Sequence, residues 1–402
     1  MRTPNPSLPP TGAAVTAAGA VTASGTSVAE LFEDLLAGRR PFTTRSIPLV
    51  SNPLPAAAHS EPGETDDTEV FAAHVQTPLD LTDLVGARAA RAMSRDGRLL
   101  LYAAHAAGAG LGTGADPDRT GVVLGTLRAG RNEYLAIHNA SQVVGGPVNP
   151  VWGPQSGYNA PAAQLSIHLP ARGPNLTLSS GATAGLDAVA VGVQQVTSSV
   201  CDTVVAGGVD TLSPAVPGTN GAGADDVPEG EAAAVVVLRD EHTADRVLAR
   251  VLGTGRATAA GADGDTDADV MRELVRAADT AIRDALRAAG RLPADVGFAV
   301  TVRGGDRAVE GPGHVALQAA FGPKVPVCDA TATTGRTGGA DGALAVVVAV
   351  EALARGVVPS DQDRGAPVAP VGPLALCLGV DPGGSATAVL LAPPTPNLKE
   401  AT

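Results

Sequence analysis

Thr177-Leu178-Ser179-Ser180-Gly181-Ala182-Thr183-Ala184-Gly185 reads as a strand that turns sharply into a helix. Gly181 permits the tight turn, and the run from Ala184 to residue 196 places Leu186, Val189, Val193 and Val196 on one side of a helix. Such an elbow exposes one side chain at the helix start. There the helix N-terminus lowers a thiol pKa and offers backbone N–H groups to an oxyanion. The residue at that place is Ala182, which keeps the geometry and removes the nucleophile. Ser179, Ser180 and Thr183 flank it, but adjacent residues point in different directions and no obvious base accompanies them.

Outward from the elbow, short apolar runs alternate with helical patterns. Upstream, residues 15–21 suit a strand, and Ser27 with Glu30 forms a capping box for a helix over 28–37 that Gly38 ends. Residues 50–82, rich in Pro, Asp, Glu and Thr, read as a surface excursion, and 84–107 as one long Ala/Arg-rich helix. Residues 121–125 are a buried strand, followed to about 157 by loops and short helical turns. Downstream, strands are expected at 203–206, 232–238, 247–252, 297–302 and 325–328, and helices at 270–289, 311–321 and 340–355. Two strands, 374–378 and 386–391, form a hairpin around Asp381-Pro382-Gly383-Gly384. This alternation predicts an α/β protein whose strands are covered on both faces. Its halves, 1–240 and 241–402, share one grammar, which suggests a duplication at the level of fold without a visible residue-level repeat.

With 402 residues, 44% hydrophobic and 17% charged, the chain can bury a large core. A formal net charge of −13 argues against nucleic acid or an anionic membrane as partner, since both reward clustered Lys and Arg. Cys201, Cys328 and Cys377 lie far apart with no metal-ligand spacing, which fits free thiols in a reducing cytoplasm. The N-terminus carries no signal-peptide pattern. None of the seven histidines, His59, His74, His105, His138, His168, His242 and His314, sits in a base or metal context. The paired glycines at 207–208, 304–305, 338–339 and 383–384 fit no dinucleotide or nucleotide phosphate pattern and suit tight turns.

Taken in order, these segments resemble the condensing-enzyme superfamily, specifically the β-ketoacyl synthases, from about residue 11 to residue 391. Residues 11–25 with the helix end Ala37-Gly38-Arg39 resemble the family's opening, and residues 119–126 (RTGVVLGT) the strand before the acyl tunnel. Arg172-Gly173-Pro174 leading into the elbow resembles the nucleophile segment, residues 202–210 (DTVVAGGVD) are the clearest match, and Gly230-Glu231-Ala232 with residues 235–238 resembles the GEG strand. The resemblance implies a thiolase-like fold, with two similar βαβαβαββ halves in a layered α-β-α-β-α core.

It also implies a dismantled active site. The family's cysteine falls on Ala182, the histidine of its HGTGT run at about Arg303, its lysine near Thr331, and the histidine of its GHxxGAAG run on Arg336. The GFGGTN turn, whose aromatic residue donates a backbone N–H to the oxyanion, falls on Asp381-Pro382-Gly383-Gly384-Ser385-Ala386, and Pro382 has no N–H. Losing one oxyanion donor alone costs about 3 kcal/mol of transition-state stabilisation. The resemblance then points to a chain length factor, the silent subunit that pairs with an active ketosynthase α subunit and closes the end of a shared tunnel. No cofactor is implied, because the acyl chain arrives on the phosphopantetheine arm of an acyl carrier protein. In type II polyketide synthesis the aromatic-polyketide members of this group usually carry Gln at the nucleophile position, and Ala182 departs from that pattern. Tunnel-lining candidates are Tyr134, Leu135, His138 and Trp152, and Leu176, Thr177, Leu178 and Ser179 are candidates for the strand that pairs with the partner. Two other readings stay open: an acyltransferase using Ser180 or a loop histidine, and a plain acyl-carrier or lipid-binding module.

Overall fold

Small apolar residues form strand β1 (Ala13–Val21), and helix α1 (Val28–Leu36) follows. The computed structural model describes residues 12–48, 67–108, 115–142, 148–213, 227–259, 266–303, 311–359 and 367–395. The Ser27 hydroxyl accepts from the Glu30 N–H at 3.2 Å, and the Glu30 carboxylate accepts from the Ser27 hydroxyl and the Thr26 N–H, each at 2.8 Å. Strands β2 (Phe42–Pro48) and β3 (Asp67–Ala73) pair antiparallel as a separate ribbon. Of the surface excursion expected over 50–82, residues 50–66 lie outside the described residues, and the rest is only partly surface: it supplies β3 and buries Ala72, Ala73, Val75 and Leu81.

The single helix expected over 84–107 is three: α2 (Thr82–Val85), α3 (Ala87–Ala92) and α4 (Arg95–Ala106). Gly86, at φ 80°, makes the first break. Extended Met93 and Ser94 make the second, and the Ser94 hydroxyl caps α4 through the Gly97 N–H at 3.1 Å. Then come β4 (Thr120–Gly125), α5 (Arg131–Gln142), α6 (Trp152–Gln155), α7 (Ala160–His168), β5 (Asn175–Leu178), α8 (Ala184–Thr197), β6 (Thr203–Asp210) and β7 (Ala232–Asp240). The four-residue α6 fits the short helical turns expected there, but α5, with 12 residues, is longer than any such turn. Its polar residues, Arg131, Asn132, Glu133, Asn139 and Ser141, leave too weak an apolar stripe to announce a helix.

The second half runs β8 (Ala249–Thr258), α9 (Asp267–Ala289), β9 (Val296–Arg303), α10 (Pro312–Phe321), β10 (Val327–Asp329), α11 (Thr331–Thr334) and α12 (Asp341–Arg355). It ends with β11 (Val358–Pro359), β12 (Pro367–Val368), β13 (Leu374–Val380) and β14 (Ser385–Ala392).

Ten strands form one mixed sheet in the order β10-β9-β13-β14-β8-β1-β7-β6-β4-β5. Counted within each half in chain order, both sets of five read 3-2-4-5-1 from the outer edge to the centre. The sets meet where β1 lies antiparallel to β8, Ala13–Val15 against Ala249–Val251. Helices α8 and α12 pack on each other between the two sets, with α12 touching β6 and β7 on one side and β9 and β13 on the other. Helix α4 covers β1 and β7 from outside, and α9 covers β8 and β14. The result is the layered α-β-α-β-α, thiolase-like architecture. Helix α12 is apolar nearly all round, with 11 of its 15 residues buried, as a helix between two sets of strands must be.

Candidate functional site

The sites flagged in the sequence gather at the carboxyl ends of parallel strands. Strand β5 leads into the 3-10 turn Gly181–Thr183, where Ala182 is 6% exposed. Strands β9, β10 and β13 run parallel side by side, with Arg303 opposite Val380 and Asp329 opposite Thr301. The backbone of Arg303, Thr331 just beyond β10, and Pro382 just beyond β13 therefore share one end of the sheet.

At the elbow, the Ala182 N–H is occupied. It donates to Oδ2 of Asp381 at 2.8 Å, and Oδ1 of the same carboxylate accepts the Gly383 N–H at 2.7 Å. A Cβ on Gly181, which sits at φ 69°, would lie 2.0 Å from Asp381 Oδ2, so the glycine makes the room this carboxylate needs. Pro382 is exposed at the hairpin tip and contributes no N–H. Both backbone donors expected at an oxyanion site are thus unavailable: one is absent and the other is taken. The sequence reading anticipated only the first, because the Asp381 contact joins residues 199 positions apart.

Beside the elbow, buried Asp187 on α8 gathers the polar groups. It accepts from the Ser180 hydroxyl, from Thr183 Oγ1 at 3.0 Å and from Thr387 Oγ1 at 2.7 Å, and it pairs with Arg256 Nε at 2.9 Å. Ser180 and Thr183, the nearest alternative nucleophiles, thus have as their acidic neighbour a carboxylate that is already paired with a guanidinium, and Thr183 Oγ1 also lies 2.8 Å from the Ser180 carbonyl oxygen. An open cleft of about 610 Å³ lies over this network, lined by Thr177, Ser180, Asp187, Arg256, Ser385 and Thr387 among others.

Thr331 and Arg336, where the resemblance leads one to expect a lysine and a histidine, are bound into the scaffold. Thr331 is buried, and both its N–H and its hydroxyl donate to Asp329 Oδ1, at 2.9 and 2.6 Å. The backbone of Arg336 pairs with Pro228 and Gly230, and its guanidinium faces Glu229 at 3.1 Å. Arg128 engages the same carboxylate. Buried Asp210, at the end of β6, accepts from Thr126 Oγ1 and from the N–H groups of Leu127, Arg128 and Gly339 at 2.6–2.9 Å. Neither Asp187 and Asp381 at the elbow nor Asp210 at the Gly338–Ala340 turn stands out in the sequence as a partner of these turns. The repeated Gly-Val-Asp at 208–210 and 379–381 was the signal available.

Tyr134, Leu135 and His138 lie on α5, which packs against α6 bearing Trp152. Tyr134 is 60% exposed, whereas Nε2 of His138 is buried without a hydrogen-bond partner. Leu176, Thr177 and Leu178 lie on β5, an edge strand of the sheet that among the described residues pairs only with β4, and Ser179 follows it. Leu176 is 40% exposed, and Thr177 Oγ1 is buried without a partner.

Residues 12–222 match the β-ketoacyl synthase N-terminal domain. The chain is 28% identical over 300 residues to a mycocerosic acid synthase-like polyketide synthase of Mycobacterium tuberculosis. That match takes in 69% of this chain and 14% of the longer protein. The fold is similar to the ishigamide ketosynthase/chain length factor, with TM-score 0.72, 22% identity, and 95% of this chain and 99% of that one covered. It is likewise similar to the structure of a ketosynthase in complex with its chain length factor from Xenorhabdus doucetiae, with TM-score 0.76, 21% identity, and 98% and 100% covered. The matched domain holds the elbow and the strands that position it, and the chain belongs to the β-ketoacyl synthase family.

Proposed function

We propose that this chain is a catalytically silent ketosynthase-like subunit, a chain length factor, built from halves 1–240 and 241–402. It pairs with an active ketosynthase and bounds the acyl tunnel during decarboxylative condensation. The observation that carries the reading is an intact elbow with Ala182 at its apex and the Ala182 N–H already bonded to Asp381. Acyl transfer needs a thiolate and donors aimed at the oxyanion, and this elbow supplies neither.

Pairing is supported by the distribution of apolar surface. Of the 13 large hydrophobic side chains exposed among the described residues, seven fall between Leu127 and Leu176, the stretch that ends on the open edge of β5. Exposed large apolar side chains beside a sheet edge are available to a partner, and an edge strand is a template for another strand. The partner is an active ketosynthase that docks along β5, and the acyl chain reaches the pair on an acyl carrier protein. Tyr134, Leu135, His138 and Trp152 limit the length of the product by steric volume.

Co-expression with candidate ketosynthases that carry Cys and two His tests the reading. A stable complex that makes products of defined length supports it. A homodimer indifferent to every such partner, or covalent acylation of the isolated chain that is lost in Ser180→Ala, would replace it with the acyltransferase reading. Tyr134→Ala or His138→Ala in the complex lengthens the product, and unchanged length in both removes the tunnel assignment.

A further inference from the structure

We propose that Asp381 is the residue that denies this site an acyl oxygen, its carboxylate standing where that oxygen would accept the Ala182 N–H. The inference rests on reading position 182 as the vacated nucleophile site, and it is independent of which partner docks. The carboxylate is held on both sides, by the Ala182 N–H at 2.8 Å and the Gly383 N–H at 2.7 Å. Gly181 leaves the space it fills. An oxygen of an incoming thioester would have to displace a charged acceptor from that N–H, and charge-assisted hydrogen bonds are about twice as strong as neutral ones.

The same contact recurs elsewhere in the molecule, where no nucleophile is at issue. The 3-10 turn Gly338–Ala340 precedes α12 as Gly181–Thr183 precedes α8. Its middle N–H, that of Gly339, donates to Asp210 Oδ2 at 2.6 Å, and a Cβ on Gly338 would lie 2.6 Å from that oxygen. Asp210 closes the fourth strand of the first half, and Asp381 directly follows the fourth strand of the second, each after Gly-Val. Asp381 thus makes at the elbow the clamp that Asp210 makes on the pseudo-equivalent turn. A clamped turn is scaffold, and restoring a nucleophile to it does not restore an acyl site. A fixed carboxylate beside position 182 also disfavours the thiolate that a cysteine there would need.

The test is thiol reactivity in the full chain. Cys201, Cys328 and Cys377 are all buried, so wild type serves as the blank. Iodoacetamide alkylation rates from pH 6 to 9 are compared for Ala182→Cys and for Ala182→Cys combined with Asp381→Asn. Removing the charge is expected to speed alkylation about tenfold at pH 7.5 by moving the profile about one unit lower. Coinciding profiles overturn the proposal. Should the double variant not fold, Ala182→Cys alone decides against free cysteine: a higher-pH midpoint supports the clamp, and a lower one shows that the helix N-terminus dominates and overturns it. Neither readout depends on the partner, so failure here is separable from failure to form a complex.

Discussion

The turns at Gly181-Ala182-Thr183 and Gly338-Gly339-Ala340 each precede a buried central helix, and each starts on a glycine of positive φ, 69° and 60°. Each also gives its middle N–H to an aspartate from the opposite half of the molecule. Four residues after each first glycine stands another, Gly185 and Gly342, and there the two helices meet. A Cβ on Gly185 would lie 2.6 Å from the Ala343 nitrogen, and one on Gly342 would lie 2.3 Å from that of Leu186. The turns differ in how they are finished. Asp210 is fully buried and takes four donors. Asp381 is half-buried, takes two, and sits beside an open cleft. One turn is committed to holding the halves together, and the other keeps the shape of an active site with its donor occupied.

The largest expected effect comes from forcing the helices apart. Gly342→Val or Gly185→Val places side-chain atoms on the neighbouring backbone and should cost about 3 kcal/mol or more, read by urea unfolding. Unchanged stability would mean the crossing tolerates separation. Next comes the pair of clamps. Asp210→Ala strands several buried donors and leaves the Arg128 charge with less compensation, for a loss of about 3–5 kcal/mol. Asp381→Ala removes two exchangeable bonds near solvent, for about 1–2 kcal/mol. Equal losses would erase the distinction between the two turns.

A smaller effect lies in pH. Burial pushes the Asp341 carboxyl, the first residue of α12, up to about 7, against the bonds from Thr337. Burial and the Asp210 charge likewise push Asp96 up to about 7. A raised carboxyl holds its proton more tightly when folded, so its contribution is full below the unfolded value of 3.8 and is lost as pH rises through about 7. Burial pushes Glu231 up as well, but Arg95 and His74 outweigh it and hold the group at about 2. Its contribution is present above 4.5 and is lost as pH falls through about 2. Thermal stability should therefore fall between about pH 4 and 7. Asp341→Asn, which keeps an Oδ1 acceptor for both Thr337 bonds, should flatten that slope and raise the melting temperature at pH 8. A slope unchanged by the substitution would assign the pH dependence to other groups. No such gain is expected at the elbow, since its aligned residue, Ala184, carries no charge.

Most strands, the long helices and the elbow were legible because they rest on local patterns: apolar runs bounded by glycines, and one-sided apolar helices. The Ser27–Glu30 cap was legible because both partners lie within one turn of helix. Helix α5 was not, since its polar sequence gives little periodic signal, and the breaks at Gly86 and Ser94 were hidden inside an Ala/Arg-rich run that favours helix throughout. The duplication was visible as grammar, while its residue-level trace is only Gly-Val-Asp at 208–210 and 379–381 and Gly-x-x-x-Gly at 181–185 and 338–342. Such short repeats acquire meaning once the fold shows that each aspartate reaches the other half's turn. The expectation of a vacant nucleophile position rests on one residue, Ala182. The occupied donor could not be read in the same way, because it depends on a contact between distant segments.

We propose that the chemistry resides in a partner and not in this chain. The most direct measurement is thioester turnover by the isolated chain and by the chain purified with a Cys-His-His ketosynthase. We predict turnover by the complex alone, abolished when the partner's cysteine becomes alanine and insensitive to Ser180→Ala in this chain. Turnover by the isolated chain that Ser180→Ala removes would contradict the account.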